Sequence, residues 1–206
     1  MALTAAKFQQ ELGASLAQSL GGQYRYFKSR LELRRASSDG DNVLILAGSN
    51  KYSPSISLSF YFGRNFAAAK RLEKRVGGYQ FPYHIQQYSL NRSAMSGLSY
   101  SGPHTWSLDI NDTPKALTSE IVAAVHGIAD PFFARFSNME VARDAIACND
   151  HWCFGGFPFW RQLLILDAAL DDLPHFQQWS KGLGSFERSQ AEAKFEQIAR
   201  VQAGVA

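Results

Sequence analysis

Cys148-Asn149-Asp150-His151-Trp152-Cys153 puts two thiols and an imidazole within six residues, the densest run of potential ligands and nucleophiles in the chain. A structural zinc site takes about four N/S ligands, usually from two separated knuckles. There is no second cysteine pair, and His84, His104, His126 and His175 are scattered. No metal and no cofactor is therefore expected, and two cysteines make no disulfide framework. Cys153 with His151 leaves a thiol–imidazole hydrolase open, but a nucleophilic thiolate needs a positioned base. Adjacency in sequence does not supply that geometry, so no catalytic residue is assigned.

Carboxylates are the next source of chemistry. Asp167 and Asp171 stand one helical turn apart with Asp172 adjoining, and Glu192 and Glu196 repeat the spacing. Paired acids can hold a hard cation, although a solvated helix face is the expectation at both places. The chain has no glycine-rich phosphate loop, zincin motif or nucleophile elbow. Gly155-Gly156 reads as a flexible joint rather than a phosphate cradle.

Two other sets suit binding. Arg64, Lys70, Arg71, Lys74 and Arg75 form a basic run, which Arg25, Lys28, Arg30 and Arg34 would extend if helix and strand share a side. With Tyr24 and Tyr26 nearby, such a patch suits phosphate contacts and base stacking, or an acidic protein; a solvated face is the plainer alternative. Trp152, Phe154, Phe157, Phe159 and Trp160 crowd into nine residues. Exposed, they are the kind of anchor that dominates interfaces; buried, they close the end of a sheet.

The net charge of +3 conceals a division. Residues 1–100 carry 13 Lys/Arg against 5 Asp/Glu, and residues 101–206 carry 8 against 13. A chain of 206 residues suffices for one domain with a substantial core. No apolar run approaches the ~20 residues of a membrane span. The first residues lack a basic stretch followed by an apolar one, so no secretory signal and no membrane association are expected. A cytoplasmic protein is the economical reading.

The elements that must position these residues follow from periodicity. Phe8, Leu12, Leu16 and Leu20 stripe a helix over Leu3 to Leu20, ended by Gly21-Gly22. Gln23 to Ala36 reads as one long strand with a wet basic face, Ser37 to Asn42 as a turn, and Val43 to Ala47 as a short strand buried on both faces. Ile56, Leu58, Phe60 and Phe62 alternate with polar residues in a third strand. Asn65 is placed to cap a helix through Phe66, Ala69, Leu72 and Val76. Ile85 to Leu90 and Thr105 to Ile110 read as further strands around a Ser/Gly-rich loop, Ser93 to Pro103.

Asp112 or Thr113 is placed to cap a helix striped by Leu117, Ile121, Val125 and Ile128, which Asp130-Pro131 should stop. After the aromatic corner Phe132, Phe133 and Phe136, Ser137 to Glu140 matches a capping box, with Phe136 and Val141 as its hydrophobic staple. Ile121, Val125, Ile128 and Ile146 are read as core. Phe159 to Leu170, His175 to Ser180 and Ser185 to Val201 complete a helical C-terminal third.

This order specifies a single α+β domain over residues 1–206, with a helical C-terminal extension over 157–206. Its architecture is an antiparallel sheet of about five strands covered by helices on one face. Across residues 5–170 the chain resembles an uncharacterised family of small bacterial proteins, a domain of unknown function. The resemblance lies in the amphipathic first helix, Phe60-Tyr61-Phe62, the strand Trp106 to Ile110, and Ile128-Ala129-Asp130-Pro131-Phe132-Phe133-Ala134-Arg135-Phe136. It implies an interaction protein or a toxin-immunity protein. The expected function is thus a non-enzymatic bacterial protein-binding module, an immunity or antitoxin-like protein that neutralises a partner toxin. The binding residues would be Arg64, Lys70, Arg71, Lys74, Arg75, Trp152, Phe154, Phe157 and Trp160. A nucleic-acid-binding accessory protein is the alternative, followed by the Cys/His hydrolase.

Overall fold

Phe8, Leu12, Leu16 and Leu20 are all buried in the computed structural model, and the helix they stripe is α1 (Ala5–Ser19). Gly21 and Gly22 follow with φ near +70°, the left-handed conformation that ends the helix without Cβ strain. The structure describes residues 5–49, 55–77, 84–87, 105–109, 113–150, 152–153 and 160–204. After α1 come β1 (Arg25–Phe27), β2 (Glu32–Ser37), β3 (Gly40–Ser49), β4 (Ser55–Phe66), α2 (Ala67–Val76), β5 (Ile85–Gln87) and β6 (Thr105–Asp109). Then follow α3 (Pro114–Ala124), a π-helical turn (Val125–Ala129), α4 (Asp130–Arg135), α5 (Met139–Ala147), α6 (Trp160–Leu170), α7 (Leu173–Ser180) and α8 (Ser185–Gln202). None of the described helices is long and apolar enough to cross a membrane. The Ser93–Pro103 loop lies outside the described residues.

The chain is α+β, as its pattern specifies. The strands form one antiparallel sheet in the order β1-β2-β3-β4-β5, with β6 also paired to β4. Register fixes what each face carries. Leu33 opposes Leu44, Leu44 opposes Phe62, Leu46 opposes Phe60 and Leu58 opposes Trp106, so these residues share one side. That side bears the helices: the Phe62 ring meets Phe132 and Phe133 edge-on at 5.0 and 6.1 Å. Helix α1 approaches closely because Gly13 faces the Tyr26 ring, and a Cβ there would come within 2.4 Å of it. Phe27, Glu32, Ile45 and Tyr61 are matched on the opposite side.

Four local readings are corrected. The Gln23–Ala36 stretch is not one strand: it breaks between β1 and β2 at a tight turn, where the Arg30 N–H bonds Phe27 O and Leu31 takes φ +52°. Asn65 does not cap α2. It remains the penultimate residue of β4, and the N-cap is Phe66, which has no side-chain cap bond. Pro131 does not stop the helix. The preceding π turn, closed by the Asp130 N–H on Val125 O, widens the backbone so that the proline takes a first-turn position in α4, where no N–H is needed. Asp130 itself is helical, at φ −64° and ψ −44°.

The fourth correction concerns α5. Its N-cap is Asn138, whose Oδ1 accepts the Glu140 N–H at 2.7 Å, displacing Ser137 by one position. The staple fails with it: Phe136 is buried, but Val141 stands exposed. Thr113 is the N-cap of α3 and makes no side-chain cap bond, while Asp112 lies outside the described residues. Ile121, Val125, Ile128 and Ile146 are core, as their stripe requires.

The cap assignment separates two substitutions. Asn138→Ala is expected to lower stability by about 1 kcal/mol, and Ser137→Ala by no more than a few tenths. Urea denaturation of both variants checks this, and the reverse order would restore the capping box.

Candidate functional site

Each charged run resolves into side chains spent on the fold and side chains left over. Arg64 belongs to the first kind. It follows Phe60 and Phe62 at the inward parity of β4 and is 2% exposed. Its guanidinium donates to Asn42 Oδ1 at 2.6 Å, Ser37 Oγ at 2.9 Å and Ser137 O at 3.1 Å, and pairs with the Asp39 carboxylate. It is therefore not part of a surface patch. The residue joins the β2–β3 turn, β4 and the link before α5.

Helix α2 shows the same division within ten residues. Ala69, Leu72 and Glu73 face inward. Glu73 is 1% exposed, and Lys70 Nζ reaches its Oε2 at 2.9 Å. Its Oε1 lies 3.1 Å from His84 Nε2, and the other ring nitrogen of His84 accepts the Phe66 backbone N–H at 2.8 Å. A backbone amide can only donate, so Nδ1 carries the lone pair and Nε2 the proton. Burial holds the His84 imidazole below its ordinary value against the pull of Glu73. Burial alone would raise the Glu73 carboxyl, but the hydrogen bonds from His84 and Lys70 bring it below its usual range.

Arg71, Lys74 and Arg75 remain exposed on one side of α2, at spacings of three and one. Arg75 donates to Val201 O at the end of α8. Among the described residues, no carboxylate pairs with Arg71 or Lys74. The strand cations are placed elsewhere. Arg25, Lys28 and Arg30 are exposed on the β1–β2 hairpin, which packs against α1, whereas α2 packs against α6 and α8. Arg34 is bonded to Glu32, and Arg35 to Asp130. The tyrosines are not stacking platforms, because Tyr24 is buried and the Tyr26 hydroxyl faces Gln9 O. Phe27 lies on the outer side, as Tyr61 does, with the Arg25 and Arg34 guanidinium groups 5.2 and 5.4 Å from the Phe27 centroid.

The acidic pairs separate as well. Glu192 and Glu196 lie on the exposed side of α8, along a groove of about 520 Å³ floored by Leu173, Phe176 and Phe195. Asp167 overturns the expectation of a solvated face: it is fully buried, while Asp171 has left the helix at φ +57°. The Asp167 carboxylate accepts His175 Nδ1 at 2.7 Å and Trp179 Nε1 at 2.5 Å, with Arg143 at 3.6 Å. Burial holds this carboxyl above its ordinary value even so. Arg143 also bonds Asp172 at 2.6 Å, and Asp172 caps α7 through the His175 N–H. The cluster clamps α5, α6 and α7 together. The sequence carried its signal, since a carboxylate inside Leu163-Leu164-Ile165-Leu166-Asp167-Ala168 cannot be solvated on a helix buried on most sides.

Past α5, Asp150 organises the turn by accepting the Trp152 N–H and bonding Arg135, whose guanidinium lies 5.0 Å from the Trp152 ring centroid. Cys148 is exposed and Cys153 buried. Burial, with Asp150 adding to it, pushes the Cys153 thiol up to about 12, so it carries almost no thiolate at neutral pH. Trp160 is buried in α6 and Trp152 is half-buried. His151, Phe154 and Phe157 lie outside the described residues. Among the described residues, no group of three or more His, Cys, Asp or Glu is arranged to hold a metal ion.

No family profile, curated protein or solved structure matches the chain.

Two measurements check this geometry. A thiol reagent should modify Cys148 rapidly in the native protein and Cys153 only after denaturant is added; equal rates would contradict the burial of Cys153. Asp167→Ala leaves the Trp179 and His175 donors facing a void beside Arg143. It should cost roughly 3 kcal/mol or more in denaturant unfolding, the scale of breaking a buried charged network.

Proposed function

We propose that the protein is a non-enzymatic, cytoplasmic binding module of the immunity or antitoxin kind, which meets an acidic surface on a partner protein through the exposed face of α2. The observation that carries this reading is the residue of positive charge on that helix. Lys70 is neutralised within the fold by Glu73, whereas Arg71, Lys74 and Arg75 point outward and the first and second have no described counter-charge. Such a face raises association rates with a complementary partner and disfavours basic ones. Its rigidity is supported by Glu73 and His84, which anchor the opposite side of the same helix. The buried, high-pKa Cys153 thiol weighs against the hydrolase alternative.

A nucleic-acid accessory role keeps one specific support, the exposed Arg25, Lys28 and Arg30 beside the Phe27 ring. It makes a different prediction. Tagged wild-type protein should retain an acidic protein partner from a bacterial lysate treated with nuclease. Arg71→Glu/Lys74→Glu should weaken that retention at least tenfold, about 1.4 kcal/mol, with the thermal midpoint unchanged. Retention that survives the double substitution removes α2 as the docking face. Retention that disappears with nuclease alone favours the nucleic-acid role.

A further inference from the structure

We infer that the α2 face is acid-sensitive, with His84 as the group whose protonation releases the start of the helix from the end of β4. This deepens the docking proposal, but its structural part does not depend on a partner.

His84 is held from four directions. Its backbone N–H donates to Arg64 O at 2.9 Å, Nδ1 accepts from Phe66 N, Nε2 donates to Glu73, and its ring lies over Phe66 at a centroid distance of 6.0 Å. Phe66 is the N-cap of α2 and has no side-chain capping bond of its own. The junction instead rests on the Phe66 N–H at His84 and the Ala67 N–H at Asp39 O. A second proton on the imidazole would sit on Nδ1, directly facing the Phe66 N–H. Two donors would then oppose each other at a buried site, and no described residue is placed to accept from either.

The surrounding charges do not remove this conflict. From α2, Glu73 favours the imidazolium and Lys70, bonded to the same carboxylate, opposes it. From β4, the Arg64 guanidinium lies over the Phe66 ring, 5.4 Å from its centroid, and its charge is paired with the Asp39 carboxylate. Of the α5 charges, which approach through β5, Arg143 and Asp144 are bonded to each other and Glu140 is exposed. Burial outweighs the help from Glu73, and the ring is kept neutral in the fold.

The sign follows. The open junction takes up a proton near the ordinary imidazole value of about 6.5, and the closed one only at lower pH. Closure is thus fully favoured above that value and is progressively lost as pH falls through it. The part that loosens is the start of the helix, which begins at Ala67 and runs into Arg71, the first of its outward cations.

Hydrogen exchange over residues 67–76, corrected for the intrinsic pH dependence of exchange, tests this on the full chain. Wild-type protection should be at least tenfold lower at pH 5.0 than at pH 7.5. His84→Asn places an oxygen where Nδ1 was and cannot titrate, so its protection should not change with pH. Equal protection at both pH values in the wild type overturns the inference, as does an equal loss in His84→Asn. Nitrogen-15 shifts of the wild-type imidazole serve if the variant does not fold: a proton on Nδ1 at pH 7.5 also overturns it. Where a partner has been captured, its release should quicken at pH 5.0 in the wild type only. An acid-loosened α2 without any partner would sink the docking proposal and leave the His84 device standing.

Discussion

A single buried guanidinium holds the parts of this fold in register. Arg64 lies where a β-strand would ordinarily place a Phe or Leu, and it reaches the β2–β3 turn, the adjacent strand and the carbonyl that precedes α5. Removing such a charge from water costs several kcal/mol unless its donors are met. The surrounding backbone must therefore keep Asn42, Asp39, Ser37 and Ser137 O in place. That constraint sets the short two-residue connection between β2 and β3, and it fixes where the helical layer re-approaches the sheet. The rings above it, Phe66, Phe62, Phe132 and Phe136, pack on a frame already positioned by directional bonds.

The same logic recurs in the helices. Glu73 with His84, and Asp167 with His175, Trp179 and Arg143, are buried polar groups that each tie two or three elements together. Apolar burial is non-directional, whereas a hydrogen-bonded carboxylate demands a set distance and angle. These clusters select one packing from the many that a Leu- and Phe-rich core permits. They also divide the charges by role. Cations that neutralise an interior acid are unavailable to a partner, and those left on the outside of α2 define its proposed docking surface. The marked basic character of the first hundred residues therefore overstates the free positive surface, because Arg34, Arg35, Arg64 and Lys70 are all engaged internally.

Periodicity made much of the fold legible. Phe8, Leu12, Leu16 and Leu20 identified α1, the alternation from Leu58 to Phe62 identified β4, and Leu117 to Ile128 identified the helix over the sheet. Several polar positions were legible in the same way. Arg64 has the parity of Phe62, Glu73 stands in the stripe of Ala69, Leu72 and Val76, and Asp167 interrupts an apolar run. Treating every charge as solvated hid that signal. The capping box misled for a different reason: Ser137 and Asn138 are both competent caps, and their local preferences differ by less than the packing that selects between them.

The pattern of apolar and polar residues by itself determined the fold class and most of the core, because those depend on which side of each element is hydrophobic. Tertiary structure alone decided which charges are interior. A carboxylate or guanidinium is stable in the core only when partners distant in sequence converge on it, as residues 37, 39, 42 and 137 do on Arg64. It also decided that the chain continues helically through Pro131, because a single π turn inside the helical run precedes the proline. The exposed face of α2 is what remains when those interior requirements have been met.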